Sequence, residues 1–169
     1  LHTRLDNHPE GVNKILIDKI GVRTSKVLIP KASSIKKLST YVPTEYREAV
    51  LDALHQAGAG AIGNYSECSF TFEGKGNFKG NEASNPHIGK PLEKKQVNET
   101  QIQVVFESHL KHPIENALLQ AHPYENVAYE IFCLDNTLAT IGMGRIGTLN
   151  QPMKEVAFLD YIKNKLNPE

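Results

Sequence analysis

His2, Asp6 and His8 fall within the first eight residues, in LHTRLDNHPEGVN (Leu1 to Asn13). Imidazole and carboxylate groups bind borderline and hard divalent ions, so this stretch is a first candidate for metal ligation. Pro9 turns the chain toward a helix and directs His8 elsewhere, and Asp6 ahead of a helix start can equally act as a cap. A second candidate is EGKGNFKGNEASNPHIGKP, Glu73 to Pro91, where Gly74 and Gly76 follow a strand and Lys75, Lys79 and Lys90 lie close by. Those are the ingredients of a phosphate cradle. Yet neither G-x-G-x-x-G nor G-x-x-x-x-G-K-[ST] is present and no helix follows, so a long hairpin connection is the plainer reading. A structureless loop of that length is uncommon; it is expected to bind something small or to pack against another subunit. The third candidate is AHPYEN, with His122 and Glu125 three apart after a helix. A metal there needs further donors; the plainer reading has His122 capping the last carbonyls, Pro123 ending the helix and Tyr124 packing on a sheet.

Other chemistries find no support. There is no nucleophile elbow, no H-E-x-x-H pair and no Ser-His-Asp set, and the seven histidines are scattered. Cys68 and Cys133 lack any CxxC or paired Cys/His spacing, which excludes a zinc ribbon or disulfide scaffold. Both sit in apolar runs and read as small buried hydrophobes, consistent with a reduced, cytoplasmic protein. Lys plus Arg equals Asp plus Glu at 19 each, so no global field draws nucleic acid or an anionic membrane. No apolar run approaches the ~20 residues of a bilayer span, and no signal peptide is visible. Because the first residue is Leu1, a targeting segment can lie outside the sequence.

The elements that must position these residues are legible from periodicity. Val12, Ile15, Leu16 and Ile20 share one helical face, predicting a helix from Pro9 to Ile20 with Gly21 as its stop. A short strand follows at Lys26–Ile29, and the polar stretch Pro30–Lys37 reads as a linker. From there the pattern predicts a strand at Leu38–Val42, a helix from Thr44 to about Ala57, and a strand at Ser66–Glu73. After the long loop Gly74–Gln96 come a strand at Thr100–Glu107, a helix at Pro113–Ala121 and a strand at Val127–Leu134. That order, β-α-β-β-α-β, is the ferredoxin-like arrangement, with two helices on one face of an antiparallel sheet. A further strand is expected at Leu138–Ile146 and a last helix at Pro152–Leu166. The fold class is α+β, an α/β sandwich flanked by helical arms from a split α/β domain. Residues 1–36, 37–135 and 136–169 are its expected divisions. The length suits one domain with extensions, and a composition of 40% hydrophobic and 22% charged residues is that of an ordinary globule.

Three stretches together resemble one family. HTRLDNHPEGVNKILIDKIGV is similar to its H-T-N-L-D…G-V-N signature, EGKGNFKGNEASNPHIGK to its G-x-G-x-F…P-x-I-G loop, and AHPYENVAYEIFCL to its H-P-Y-E-x-P-A-Y-D segment. The family is that of the GTP cyclohydrolase 1 type 2 homologues, also described as Ngg-interacting-factor-like dinuclear metal proteins. Arg4 stands where the family usually has Asn, and Val127 where it often has Pro.

The resemblance implies a two-metal site built from two lobes, with zinc, iron or manganese held by residues among which Asp6 matches the L-D aspartate. The family's His-His-Pro pair and its C-terminal His…Glu ligands have no counterpart in this sequence. The chain therefore reads as the middle of a longer protein, a CutA-resembling insert with remnants of both flanking lobes, and is expected to hold no metal pair alone. The implied activity of the whole is metal-dependent hydrolysis, with a metal-bound water as nucleophile. The alternative is a non-catalytic assembly or small-ligand-sensing module. In that reading Gly74, Gly76, Phe78, His122, Tyr124 and Glu125 line a pocket or an interface. Self-association is implied by resemblance, as a trimer of the insert and a hexamer of full-length members.

Overall fold

The computed structural model describes residues 2–166, with the side chains of residues 2–4 excepted, so the candidacy of His2 as a metal ligand lies outside what is described. In chain order the elements are α1 (His2–Asn7), α2 (Val12–Lys19), β1 (Thr24–Pro30), β2 (Ile35–Pro43), α3 (Arg47–Gln56), β3 (Ser69–Lys79), β4 (Lys94–Glu107), α4 (Lys111–Ala121), β5 (Tyr129–Cys133), β6 (Gly142–Thr148) and α5 (Glu155–Leu166). They form two compact units, one of Ser33–Asp135 and one of Leu1–Ala32 with Asn136–Glu169. Among the described residues no helix is long and apolar enough to cross a membrane.

The central unit follows the order β2-α3-β3-β4-α4-β5. Its four-stranded sheet runs β3-β4-β2-β5 with every neighbouring pair antiparallel. This is the ferredoxin-like topology. Side chains alternate across a strand, and in β4 the alternation of burial is sharp. Leu38, Thr40 and Val42 of β2, with Ile102, Val104 and Phe106 of β4, are buried. They pack with Val50, Leu51 and Leu54 of α3 and Ile114 and Leu118 of α4 in one core. Gly58, at φ +100°, ends α3 in a conformation that side chains rarely adopt.

Several boundaries differ from expectation. The supposed loop Gly74–Gln96 is sheet at both ends: β3 runs to Lys79 and β4 starts at Lys94, leaving residues 80–93 between them. Glycine-rich sequence reads as loop, but here cross-strand pairing with β4 holds it extended. Thr44 is not a side-chain cap; Thr44–Tyr46 form a 3-10 turn ahead of α3, and the Thr44 hydroxyl donates to Glu73 Oε2 at 3.0 Å. The strand expected at Leu138–Ile146 forms later, as β6.

In the other unit β1 and β6 make a two-stranded antiparallel ribbon, with Val27 opposite Arg145. The Arg145 guanidinium donates to Pro9 O at 2.7 Å, and the Tyr161 hydroxyl donates to Ile20 O at 3.1 Å. The helix expected from Pro9 begins later, as α2 at Val12, and the short helix α1 precedes the turn through Pro9. On α2 the buried residue is Ile17, while Val12, Ile15 and Leu16 of the expected inward face are exposed. Helix α5 likewise buries no residue.

Neighbouring leucines on α4 test this core. Leu118 is fully buried and Leu119 is 50% exposed. Leu118→Ala should lower the unfolding free energy by about 2–5 kcal/mol and Leu119→Ala by less than about 1 kcal/mol. Urea denaturation followed by circular dichroism measures both.

Candidate functional site

Strands β3 and β4 are paired along their length, with Gly74 opposite Glu99 and Gly76 opposite Val97. Thr100 and Ile102 face the helices, so Glu99 stands on the opposite, open face of the sheet. Gly76 matters for its missing side chain: a Cβ there would overlap the Glu99 carboxylate. Glu99 Oε1 accepts the Tyr124 hydroxyl at 2.8 Å. Burial, reinforced by the hydrogen bond to Glu99 and its charge, pushes the Tyr124 phenol far above its ordinary range, so it stays a donor.

His122, at the end of α4, is 6% exposed. Its Nδ1 accepts the Tyr124 backbone N–H at 3.1 Å, and its Nε2 lies 2.9 Å from Tyr41 O on β2. An accepting Nδ1 leaves the proton on Nε2, which donates to the Tyr41 carbonyl, and the ring is neutral. Burial lowers its pKa below the ordinary 6.5, against the opposing pull of the Tyr41 carbonyl and Glu99. His122 does not cap the helix carbonyls as expected. It clamps the 122–128 segment to β2, because the chain leaves the helix in an extended conformation there.

The 80–93 loop closes over this floor. Leu92 N donates to Gly80 O at 3.0 Å, and Asn85 N donates to Glu125 Oε1 at 3.0 Å. His87 sits edge-on to Tyr46 with centroids 5.3 Å apart, and the Tyr124 ring lies 6.3 Å from His87 and 6.1 Å from Phe78. Between the loop, the β3–β4 ribbon and the 122–128 segment lies a cleft of about 690 Å³. Of the residues singled out in the sequence, Gly76, Phe78, Lys79, Tyr124 and Glu125 line it. Gly74 lies further along β3, opposite Glu99, and His122 holds the segment in place.

The sequence profile of the Duf34/NIF3 (NGG1p interacting factor 3) family matches residues 1–169. The chain belongs to that family. It is 41% identical over 167 residues to the GTP cyclohydrolase 1 type 2 homolog of Bacillus subtilis, covering 98% of this chain and 45% of that protein. The Mycobacterium tuberculosis homolog of the same name is 36% identical over 169 residues, again with 45% of its length covered. The crystal structure of a Bacillus cereus protein related to NIF3 superimposes with a TM-score of 0.74 at 37% identity, covering 93% of this chain and 41% of that one. The chain thus spans less than half the length of these NIF3-family relatives.

In this NIF3-family chain Asp6 lies in α1, half-buried, its carbonyl accepting Asn13 Nδ2 at 2.8 Å. His8 Nδ1 accepts the Glu10 N–H at 3.1 Å within the turn. Among the described residues no group of three or more His, Cys, Asp or Glu side chains could hold a metal ion. A pair of divalent ions takes several donors each, so the described residues do not fit a dinuclear site by themselves. The cysteines also differ from expectation. Cys68 is half-buried, and Cys133 is exposed on the edge strand β5, where the Lys36 ammonium at 3.0 Å lowers its pKa.

Glu99, Tyr41 and His87 line the cleft and were not singled out by the sequence. For Glu99 one signal exists in QVNETQIQV: it falls at an outward position of the β4 alternation.

The lowered pKa of His122 sets a pH dependence. The unfolded chain takes up the proton near pH 6.5 and the folded ring only at lower pH. The stability this group contributes is therefore complete above pH 6.5 and is lost as pH falls through the folded value. Between about pH 7.5 and pH 5.5 the denaturation midpoint should fall further in the wild type than in His122→Gln. An equal fall in both shows that His122 does not titrate in this way.

Proposed function

We propose that this chain is a segment of a metal-dependent hydrolase of the Duf34/NIF3 family, in which Asp6 is one ligand of a pair of divalent ions: zinc, iron or manganese. The observation that carries this reading is the family match across residues 1–169, with Asp6 at the position of the L-D aspartate. The remaining ligands belong to parts of such a protein beyond this chain, since the described residues offer no cluster of their own. In this reading the ferredoxin-like unit supplies none of the metal's ligands.

Metal analysis after dialysis tests the proposal. In a protein of the relatives' length that carries this segment, Asp6→Ala should lower bound metal at least about tenfold, with phosphoester or nucleotide hydrolysis falling alongside. The present chain should retain far less than stoichiometric metal. Full occupancy in the variant removes Asp6 from the ligand set, and stoichiometric metal in this chain removes the dependence on outside ligands.

A second reading, self-association, has an observation of its own. The open face of the sheet carries Phe70, Phe72 and Phe132, all exposed, and its outer strands β3 and β5 each have one unpaired edge. Exposed edges and aromatic surface favour pairing with further copies. Light scattering at high micromolar concentration should show an oligomer, a trimer by family resemblance; a strict monomer counts against it.

A further inference from the structure

The cleft of the ferredoxin-like unit has a chemistry of its own. At about 690 Å³ it lies within the range of small-molecule sites. Its charged lining residues are Glu99, Glu125 and Lys79, two carboxylates against one exposed ammonium. Glu99 commits Oε1 to a phenol that remains protonated. The missing side chain of Gly76 leaves space for that carboxylate against β3. Phe78, Tyr124 and His87 supply aromatic surface beside it, with His87 braced by Tyr46.

Aromatic faces attract cations through the ring quadrupole, and a carboxylate receives the N–H donors of an amidinium, guanidinium or ammonium as charge-assisted hydrogen bonds. A phosphate or carboxylate ligand meets the reverse situation, with like charge on two sides and a single lysine in favour. We infer that the cleft between Glu99, Tyr124, Phe78 and His87 binds a small organic cation, its flat apolar body against the rings and its nitrogen donors on Glu99. The 80–93 loop, tied to Glu125 through the Asn85 N–H, forms the outer wall. Asp6 belongs to the other unit, so failure here leaves the metal reading intact, and loss of the metal reading leaves this one intact.

Benzamidine and its neutral near-isostere benzamide are suitable probes, titrated into the whole chain with backbone amide shifts followed by NMR. Benzamidine should bind saturably with a dissociation constant on the order of 1 mM or tighter, shifting the amides of Gly76, Phe78, Tyr124 and Glu125. Benzamide should bind at least about tenfold more weakly. Glu99→Gln keeps the shape of the side chain and should remove that preference, while Lys79→Ala, which takes away the one cation of the lining, should tighten benzamidine binding. Gly76→Ala, which displaces the Glu99 carboxylate, should weaken benzamidine in the same direction; amide spectra retaining the dispersion of the wild type confirm that both cleft variants are folded. Equal binding of the two probes, no saturable shift at the cleft amides, or undiminished preference in folded Glu99→Gln each overturns the proposal.

Discussion

Strand β4 is the member on which the rest of the central unit depends. It is hydrogen-bonded on both sides, to β3 along Ser69–Lys79 and to β2 along Ile35–Pro43. Strict alternation then divides its side chains between two worlds. Ile102, Val104 and Phe106 go to the helices and form the core, and Glu99 goes to the open face. A slip of one residue would exchange the two sets, burying glutamines and a glutamate and exposing the core. The same register that makes the fold stable therefore places the carboxylate of the cleft.

Around that carboxylate the protein sets the protonation of its neighbours by burial and hydrogen bonding. Tyr124 is held as a donor to Glu99, and His122 is held neutral between the Tyr41 carbonyl and the Tyr124 amide. Each of these groups has its polar atoms engaged, so the segment after α4 is pinned although it has no regular structure from His122 to Ala128. The other unit is organised differently. Among its described residues the buried hydrophobic side chains are Ile17, Val22 and Val27, and long-range hydrogen bonds from Arg145 and Tyr161 fasten backbone carbonyls on either side of α2.

Much of the fold was legible because period and order are local properties. The alternation in TQIQVVFE, the helical spacing through Val50 and Leu54, and the β-α-β-β-α-β order are carried by short stretches of sequence, and the sheet follows them. Glycine misled where it stood in the middle of a strand. EGKGNFK reads as loop by propensity, yet its partner across the sheet holds it extended. The apolar stripes of α2 and α5 announced helices correctly, but periodicity does not say what covers a face, and several of their residues are exposed.

The candidate site shows the same division. Residue types, spacing and the resemblance they carry to a known family marked Gly76, Phe78, Tyr124 and Glu125. That Glu99, distant in sequence from Tyr124, shares a hydrogen bond with it follows from the pairing of β3, β4 and β2 and from the clamp of His122 on Tyr41. Charge, helical period and motif are written residue by residue along the chain. Which carboxylate faces which phenol depends on register and on chain reversals, and these are determined only when burial of the whole core selects one pairing of strands.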